Sequence, residues 1–327
     1  IITEFKPRKC NLIGLTFIGS GSKGNSALLE LGDSCFLLDV GFACRRITDF
    51  LAERNIDGSD LNGVFITHEH DDHVKGLRVL LNKYPQLPVY ATNGTISGIK
   101  CKGVEIKNPI AINPGKNISV NGCDCVAFNV PHDANQPVGF RFSHNGDVMS
   151  VATDLGRVTP EVLEHSKGSD ILCLESNYDS EMLRFCSYPS WLKDRIKGPN
   201  GHLPNEGVRG VLSKMDKPPA GLVLMHLSQE SNTPDLARRS LVPFLENSKS
   251  DFRNTKIVVA SQDFADVGLE LGEGISLEII SPLVARVVGP GYGDRIPGEH
   301  VVDLPEDAEA AEIDAEAGAR FEIGSCA

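Results

Sequence analysis

The seven residues Thr67 to His73 read THEHDDH and follow directly on the apolar run GVFI, Gly63 to Ile66. An apolar run of that length bounded by polar residues predicts a short buried strand, so the polar turn leaves the end of a strand. The turn presents His68, His70, Asp72 and His73, four side chains able to donate nitrogen or oxygen to a metal ion. His68 and His70, two apart, share a face while the chain is extended. Asp72 and His73 follow as it turns and reach a neighbouring site. Imidazole and carboxylate rarely crowd this densely on a loop without a metal to bind.

One turn cannot complete two coordination shells, and later strand ends supply further donors. His132 closes VAFNVPH, Asp154 closes VMSVATD and His226 closes GLVLMH, each an isolated polar group capping an apolar run. Any one of them alone reads as a locally hydrogen-bonded residue. All three after an H-x-H-x-D-H turn point to a metal centre along one edge of a sheet.

The glycine-rich stretch upstream invites a different reading. GSGSKGNS, Gly19 to Ser26, fits G-x-G-x-x-G, and Asp39 stands where a ribose-binding carboxylate would. A dinucleotide fold requires a helix after the third glycine. Here SALLEL and CFLLD follow instead, separated by Gly32-Asp33-Ser34, which predicts a hairpin. The glycines therefore lie between strands, and the dinucleotide reading falls. Beyond the hairpin, Arg46 to Glu53 has helical spacing, Val74 to Tyr84 forms one helical face through Val74, Leu77, Leu80 and Leu81, and PVYAT is a strand. Residues 102 to 131 alternate strands with Asn/Gly turns, GFRFSHNGDVMSVATD makes a hairpin around His144 to Asp147, and helices return between DILCLES and GLVLMH. The class is α/β.

The chain has 327 residues and a net charge of −12. Residues 273 to 327 carry −9 of it and residues 1 to 272 only −3, so the overall sign does not exclude an anionic partner. The segment Asp303 to Ala319 is acidic and Ala-rich, as in a solvated helix or tail. Nine cysteines are scattered through the chain, mostly in apolar runs, and read as reduced residues of a cytoplasmic protein, with Cys123 and Cys125 as strand core. No apolar run approaches the ~20 residues of a membrane span and no leader pattern opens the chain, so a soluble protein with no membrane partner is expected.

With GSGSKGN, LLDVGF, THEHDDHVKGL, VPHDA, VATDLG, LESNYDSEML, YPSWLKDRIKGPNGHLPN and HLSQESN in view, the chain resembles the metallo-β-lactamase superfamily from about Leu15 to Asn232. Within it the resemblance is to the YycJ/WalJ type of exonuclease-like hydrolase. That resemblance implies an αββα sandwich with two divalent ions, Zn or Mn, at one edge. His68, His70 and His132 would hold the first, Asp72, His73 and His226 the second, and Asp154 would bridge them. The bridging residue is Asp154 and not Cys, which speaks against a β-lactamase. The implied reaction is phosphodiester hydrolysis, with DNA as the expected substrate and a hydroxide shared by the metals as nucleophile. Asp72 and His202 are the expected catalytic residues, His202 protonating the leaving oxygen. Ser20, Ser22, Asn25, Asn177, Arg184, Lys193 and Arg195 are expected at the substrate phosphates, and Asp39 is expected to brace the metal-binding turn.

Pro204, Tyr178 and Asp71 depart from the residues usual in that subgroup, which bears on substrate choice. Only 71 residues separate Asp154 from His226, too few for a large inserted domain. The expected organisation is one hydrolase domain over residues 12–270 and an acidic C-terminal extension, 271–327, of unknown role. A small-molecule hydrolase acting on a cyclic phosphodiester or thioester, and a non-catalytic metal-binding module, stand as alternatives. His144, His165 and His300 receive no role, and the oligomeric state is open.

Overall fold

A computed structural model describes residues 13–247, 251–263, 267–271 and 278–279. The expected tail features at Asp303 to Ala319 and His300, with Cys10 and Cys326, lie outside the described residues.

The chain begins with three consecutive antiparallel strands, β1 (Ile13–Gly19), β2 (Ser26–Leu31) and β3 (Ser34–Leu38). The glycine-rich stretch is thus a loop between strands, and Gly32 turns the next hairpin at φ 58°. Parallel additions follow: β4 (Gly63–Phe65), β5 (Val89–Thr92) and β6 (Pro109–Ile112). Parallel neighbours need crossovers, supplied by α1 (Cys44–Glu53), then α2 (Asp71–Val74) with α3 (Leu77–Lys83), then α4 (Asn93–Cys101). The second sheet runs β7 (Asn117–Val120), β8 (Cys123–Asn129), β9 (Val138–His144) and β10 (Asp147–Ala152) as an antiparallel meander. It continues with parallel β11 (Ile171–Glu175), β12 (Gly221–Met225) and β13 (Lys256–Val259).

Two later strands return to the first sheet. β14 (Val267–Leu271) pairs antiparallel with β1, and β15 (Glu278–Ile279) pairs with β14. The first sheet therefore has the order β15-β14-β1-β2-β3-β4-β5-β6 and the second β13-β12-β11-β10-β9-β8-β7.

The central strands of each sheet, among them β1, β2, β4, β11 and β12, bury both faces, which is why they read as continuous apolar runs. Between the sheets lie Ile13, Leu15, Leu29, Phe36, Phe65, Phe140, Phe142 and Val151. On the outer face of the first sheet, Ile47, Phe50 and Leu51 of α1 pack with Leu77 and Leu80 of α3. On the outer face of the second, α5 (Pro160–Ser166) and α8 (Asn205–Leu212) contribute Val162, Val208 and Val211. The result is the four-layer αββα sandwich. The helical face expected from Val74 to Tyr84 is instead split at Gly76, where a Cβ would sit 2.0 Å from the Phe42 carbonyl oxygen. Val74 still faces the core from α2, and Leu77, Leu80 and Leu81 do so from α3.

Phe65 ties the two sheets together directly beneath the turn that carries His68 to His73. Its ring lies 5.4 Å from Phe140 and 5.2 Å from Phe142 of the opposite sheet, both edge-on, and stacks 4.7 Å from Tyr90. Edge-to-face pairs add to simple burial, and Thr67 follows two residues later. Phe65→Ala is expected to lower the unfolding free energy by about 3–5 kcal/mol, measured by urea denaturation; a loss under about 1 kcal/mol would mean that the inter-sheet cluster does not carry this edge.

Candidate metal centre

The seven expected ligands come from separate strand ends and converge. One donor each from His68, His70 and His132 lie within 4.8 Å of one another, as do donors from Asp72, His73 and His226. His68, His73 and Asp154 make a third such group that joins the two. The Asp154 Oδ2 is 3.2 Å from His73 Nε2, and its Oδ1 is 3.5 Å from His132 Nε2 and 3.6 Å from His226 Nδ1.

Local backbone explains how strand ends aim inward. Asp39, Asp154 and His226 each adopt left-handed φ, at 58°, 54° and 57°, just after β3, β10 and β12. Non-glycine residues hold that conformation at a cost of about 1–3 kcal/mol each and concentrate at functional sites. The chain reverses sharply there, and each side chain leaves the strand toward the same edge. Gly41 permits the closest approach: a Cβ at this position would lie 1.8 Å from the Asp72 carbonyl oxygen, which accepts a bond from the Asn25 N–H.

Hydrogen bonds fix which imidazole nitrogens face the cluster. Asp39 accepts from the Thr67 N–H at 2.8 Å, from the Thr67 hydroxyl, and from His73 Nδ1 at 2.8 Å. With the Thr67 proton directed to Asp39, its oxygen accepts from His68 Nδ1 at 3.0 Å. Both Nδ1 atoms thereby carry protons, and both Nε2 atoms are directed into the cluster. His68 Nε2 is buried without a hydrogen-bond partner among the described residues. An orphaned buried acceptor surrounded by imidazoles and carboxylates suits the coordination of a cation. His132 completes the pattern, donating from Nδ1 to the Gly201 carbonyl at 3.1 Å and turning Nε2 toward His70 Nδ1 at 3.2 Å.

Electrostatics divide the imidazoles. Burial, reinforced by neighbouring imidazoles, pushes His68 well below its ordinary value, and burial also lowers His132, so both are neutral donors. Burial opposes charge on His73 and His226 as well, but carboxylates outweigh it. Asp39 and Asp72 raise His73, while Asp154 and hydrogen bonds to Asp72 and Glu175 push His226 up to about 10. Asp72 and Asp154 are held below the usual carboxylate range despite burial, by His73 and His226. The pocket is thus a set of ionised acids seeking positive charge, which protons or divalent cations provide.

Glu175 is the residue that the sequence reading missed. It ends β11 fully buried, and its Oε1 accepts from both His226 Nδ1 and His202 Nδ1 at 2.8 Å. Its Oε2 accepts from the N–H groups of Leu155 and Leu203. The signal was present: Glu175 closes ILCLE just as Asp154 and His226 close their strands. His202 stands between the clusters, its ring 5.2 Å from that of His132 and 5.3 Å from that of His226, and Glu175 raises its pKa against the effect of burial.

The expected phosphate contacts are distributed differently. Ser20 and Asn25 are buried: the Ser20 hydroxyl donates to Asn25 Oδ1 and accepts from the His226 N–H, while Asn25 Nδ2 donates to the Gly21 carbonyl. Both hold the loop against the metal-binding turn. Asn177 is buried too and donates to the His226 carbonyl at 2.8 Å. Lys193 donates its ammonium protons to the Arg184 and Cys186 carbonyls. Ser22 and Arg184 are exposed, and Ser22 lines a cleft of about 470 Å³ with Lys23, Asp72, Lys75, Arg78 and Lys102. Arg195 binds Asp133 at 2.7 Å, and the other Asp133 oxygen is 3.4 Å from His132 Nε2, so Arg195 stands at the rim of the first cluster. Asp71 points away, paired with Lys102.

Because Asp39 sets the proton positions of His68 and His73 together, Asp39→Asn is expected to lower affinity for a divalent ion about 10- to 100-fold with the fold intact. Chelator competition alongside circular dichroism checks this, and an unchanged affinity would show that the turn holds its own geometry.

A beta-lactamase superfamily domain profile matches residues 36–227. The chain is 34% identical over 232 residues to the exodeoxyribonuclease WalJ of Streptococcus pneumoniae, covering 69% of this chain and 86% of that protein. It is 32% identical over 242 residues to the exodeoxyribonuclease YycJ of Bacillus anthracis, covering 72% and 90%. Among solved structures, the metallo-beta-lactamase fold protein YhfI of Bacillus subtilis superposes with a TM-score of 0.61 at 15% identity, over 80% of this chain and 99% of that one. Fold, converging strand ends and sequence agree: the chain belongs to the beta-lactamase superfamily, in the family of the WalJ and YycJ exodeoxyribonucleases.

Proposed function

We propose that the protein is a binuclear metal-dependent phosphodiester hydrolase acting as a DNA exonuclease in the cytoplasm, with its chemistry in residues 12–270. The observation that carries the reading is the pair of donor groups joined through Asp154, with His202 held beside both by Glu175. His68, His70 and His132 would hold one divalent ion, Asp72, His73 and His226 a second, and Asp154 both. The mixed nitrogen and oxygen donors suit Zn or Mn. Ions held there would supply Lewis acidity and neutralise the charge of an anionic phosphodiester. The WalJ and YycJ relatives support DNA as the substrate.

The chain's own groups perform the remaining work. Glu175 accepts a hydrogen bond from His202 Nδ1, which fixes the ring and would leave Nε2 as the atom that faces substrate. The same carboxylate raises the His202 pKa against the effect of burial, which favours the protonated ring that would pass a proton to a departing oxygen. Glu175 also orients His226, so donor geometry and proton donor are set by one oxygen. Arg195, half exposed beside Asp133 at the rim, would meet a substrate phosphate there.

His202→Ala is expected to keep its full metal content and lose about 10²- to 10⁴-fold in rate on DNA, with a smaller loss on a nitrophenyl phosphodiester, whose leaving group needs no proton. Metal analysis and parallel kinetics decide it: loss of metal, or equal slowing of both substrates, would remove the proton-donor role. Digestion of end-labelled single- and double-stranded DNA and RNA tests the substrate assignment directly.

A further inference from the structure

Among the described residues, two aromatic side chains stand outside every core cluster. Phe185 is 76% and Trp191 67% exposed, and Trp191 is the single tryptophan of the chain. Isolated exposed apolar residues are ordinary, but the position of these two is not. Phe185 ends α6 (Ser180–Phe185) and Trp191 lies in the first turn of α7 (Ser190–Lys197). Lys193 of α7 donates to the carbonyls on either side of Phe185, so the two helices are tied together where the aromatics emerge.

The same helix is wired to the metal centre. Trp191 and Arg195 are four residues apart and share one side of α7. Arg195 binds Asp133 next to His132, and the loop after α7 is held by the bond from His132 to the Gly201 carbonyl. Charge around the aromatics is mixed but supplies cations: the Arg184 guanidinium lies 5.2 Å from the Phe185 ring centre, and Arg195 and Lys197 are about half exposed, Lys197 being 3.9 Å from Asp194. Lys and Asp are depleted from protein interface cores, and Lys197 and Asp194 both stand exposed here. Exposed aromatic faces interleaved with Arg and Lys are what unpaired bases and their phosphates require.

We infer that Trp191 and Phe185 form a stacking platform for the unpaired bases of a single-stranded nucleic-acid end, which Arg184 and Arg195 accompany along its phosphates toward the metal centre. The inference rests on the nuclease reading above and refines it. Bases within a duplex hide their faces in the stack, so the platform selects strands that are already single or frayed.

The single tryptophan makes a direct reporter. Full-length metal-loaded protein is titrated with phosphorothioate oligothymidylate, chosen to slow cleavage, with an abasic strand of equal length and charge, and with a blunt duplex. Saturable quenching of Trp191 emission by oligothymidylate alone is expected. Trp191→Ala should raise KM for single-stranded DNA about 5- to 30-fold, change kcat/KM for a nitrophenyl phosphodiester by less than about twofold, and be largely rescued by Trp191→Phe. Equal quenching by the abasic strand, no quenching, or an unchanged KM would overturn the platform while leaving the nuclease reading in place. Emission that shifts with protein concentration together with a dimeric mass would overturn it in favour of self-association. A wild-type protein that hydrolyses the nitrophenyl ester but no nucleic acid would remove the nuclease reading and the platform with it.

Discussion

The buried carboxylate of Asp39 governs the rest of the site. It is 3% exposed and accepts from the Thr67 N–H, the Thr67 hydroxyl and His73 Nδ1. A buried acid is tolerated only when its oxygens are satisfied, and these bonds both stabilise Asp39 and determine how THEHDDH is presented. Thr67 passes the constraint to His68, and His73 passes it toward Asp72 and Asp154. Asp39 therefore sets donor orientation on both sides of the centre without itself facing it. The left-handed backbone at Asp39, Asp154 and His226 is maintained because packing from two sheets over-determines these strand ends.

Glu175 plays the corresponding part from the opposite sheet. One oxygen orients His202 and His226, and the other is fixed by two backbone N–H groups. The centre is thus assembled between two braced carboxylates, one per sheet, with the Phe65, Phe140 and Phe142 cluster holding the sheets together below it. Any change that lets the sheets slide would separate His68 and His73 from Asp154 and His226. Packing and chemistry are coupled through that short path.

Much of this was legible in the sequence. Apolar runs ending in a single His or Asp marked His132, Asp154 and His226 because strand termini are where a buried sheet can present polar groups to an edge. The hairpin signal at Gly32 excluded a dinucleotide fold for the same kind of local reason. Glu175 was equally marked but was passed over, because a lone acid after a strand does not announce a histidine partner 27 residues away. The roles of Ser20, Asn25, Asn177 and Lys193 were also hidden, since a polar side chain in a loop reads alike whether it faces solvent or a neighbouring backbone. Their partners, among them His226 at a separation of 206 residues from Ser20, exist only after folding. The break at Gly76 was invisible because its N–H donates to the Val40 carbonyl and its Cα lies against the Phe42 carbonyl, both on another segment.

The central claim, that separate strand ends build one two-ion centre, is tested most directly by a crystal structure of the metal-loaded protein with anomalous scattering at the metal edge. The account predicts two peaks, one bonded at about 2.0–2.2 Å to His68, His70 and His132 and the other to Asp72, His73 and His226, with Asp154 reaching both. A single peak, or peaks bound away from these seven side chains, would contradict it.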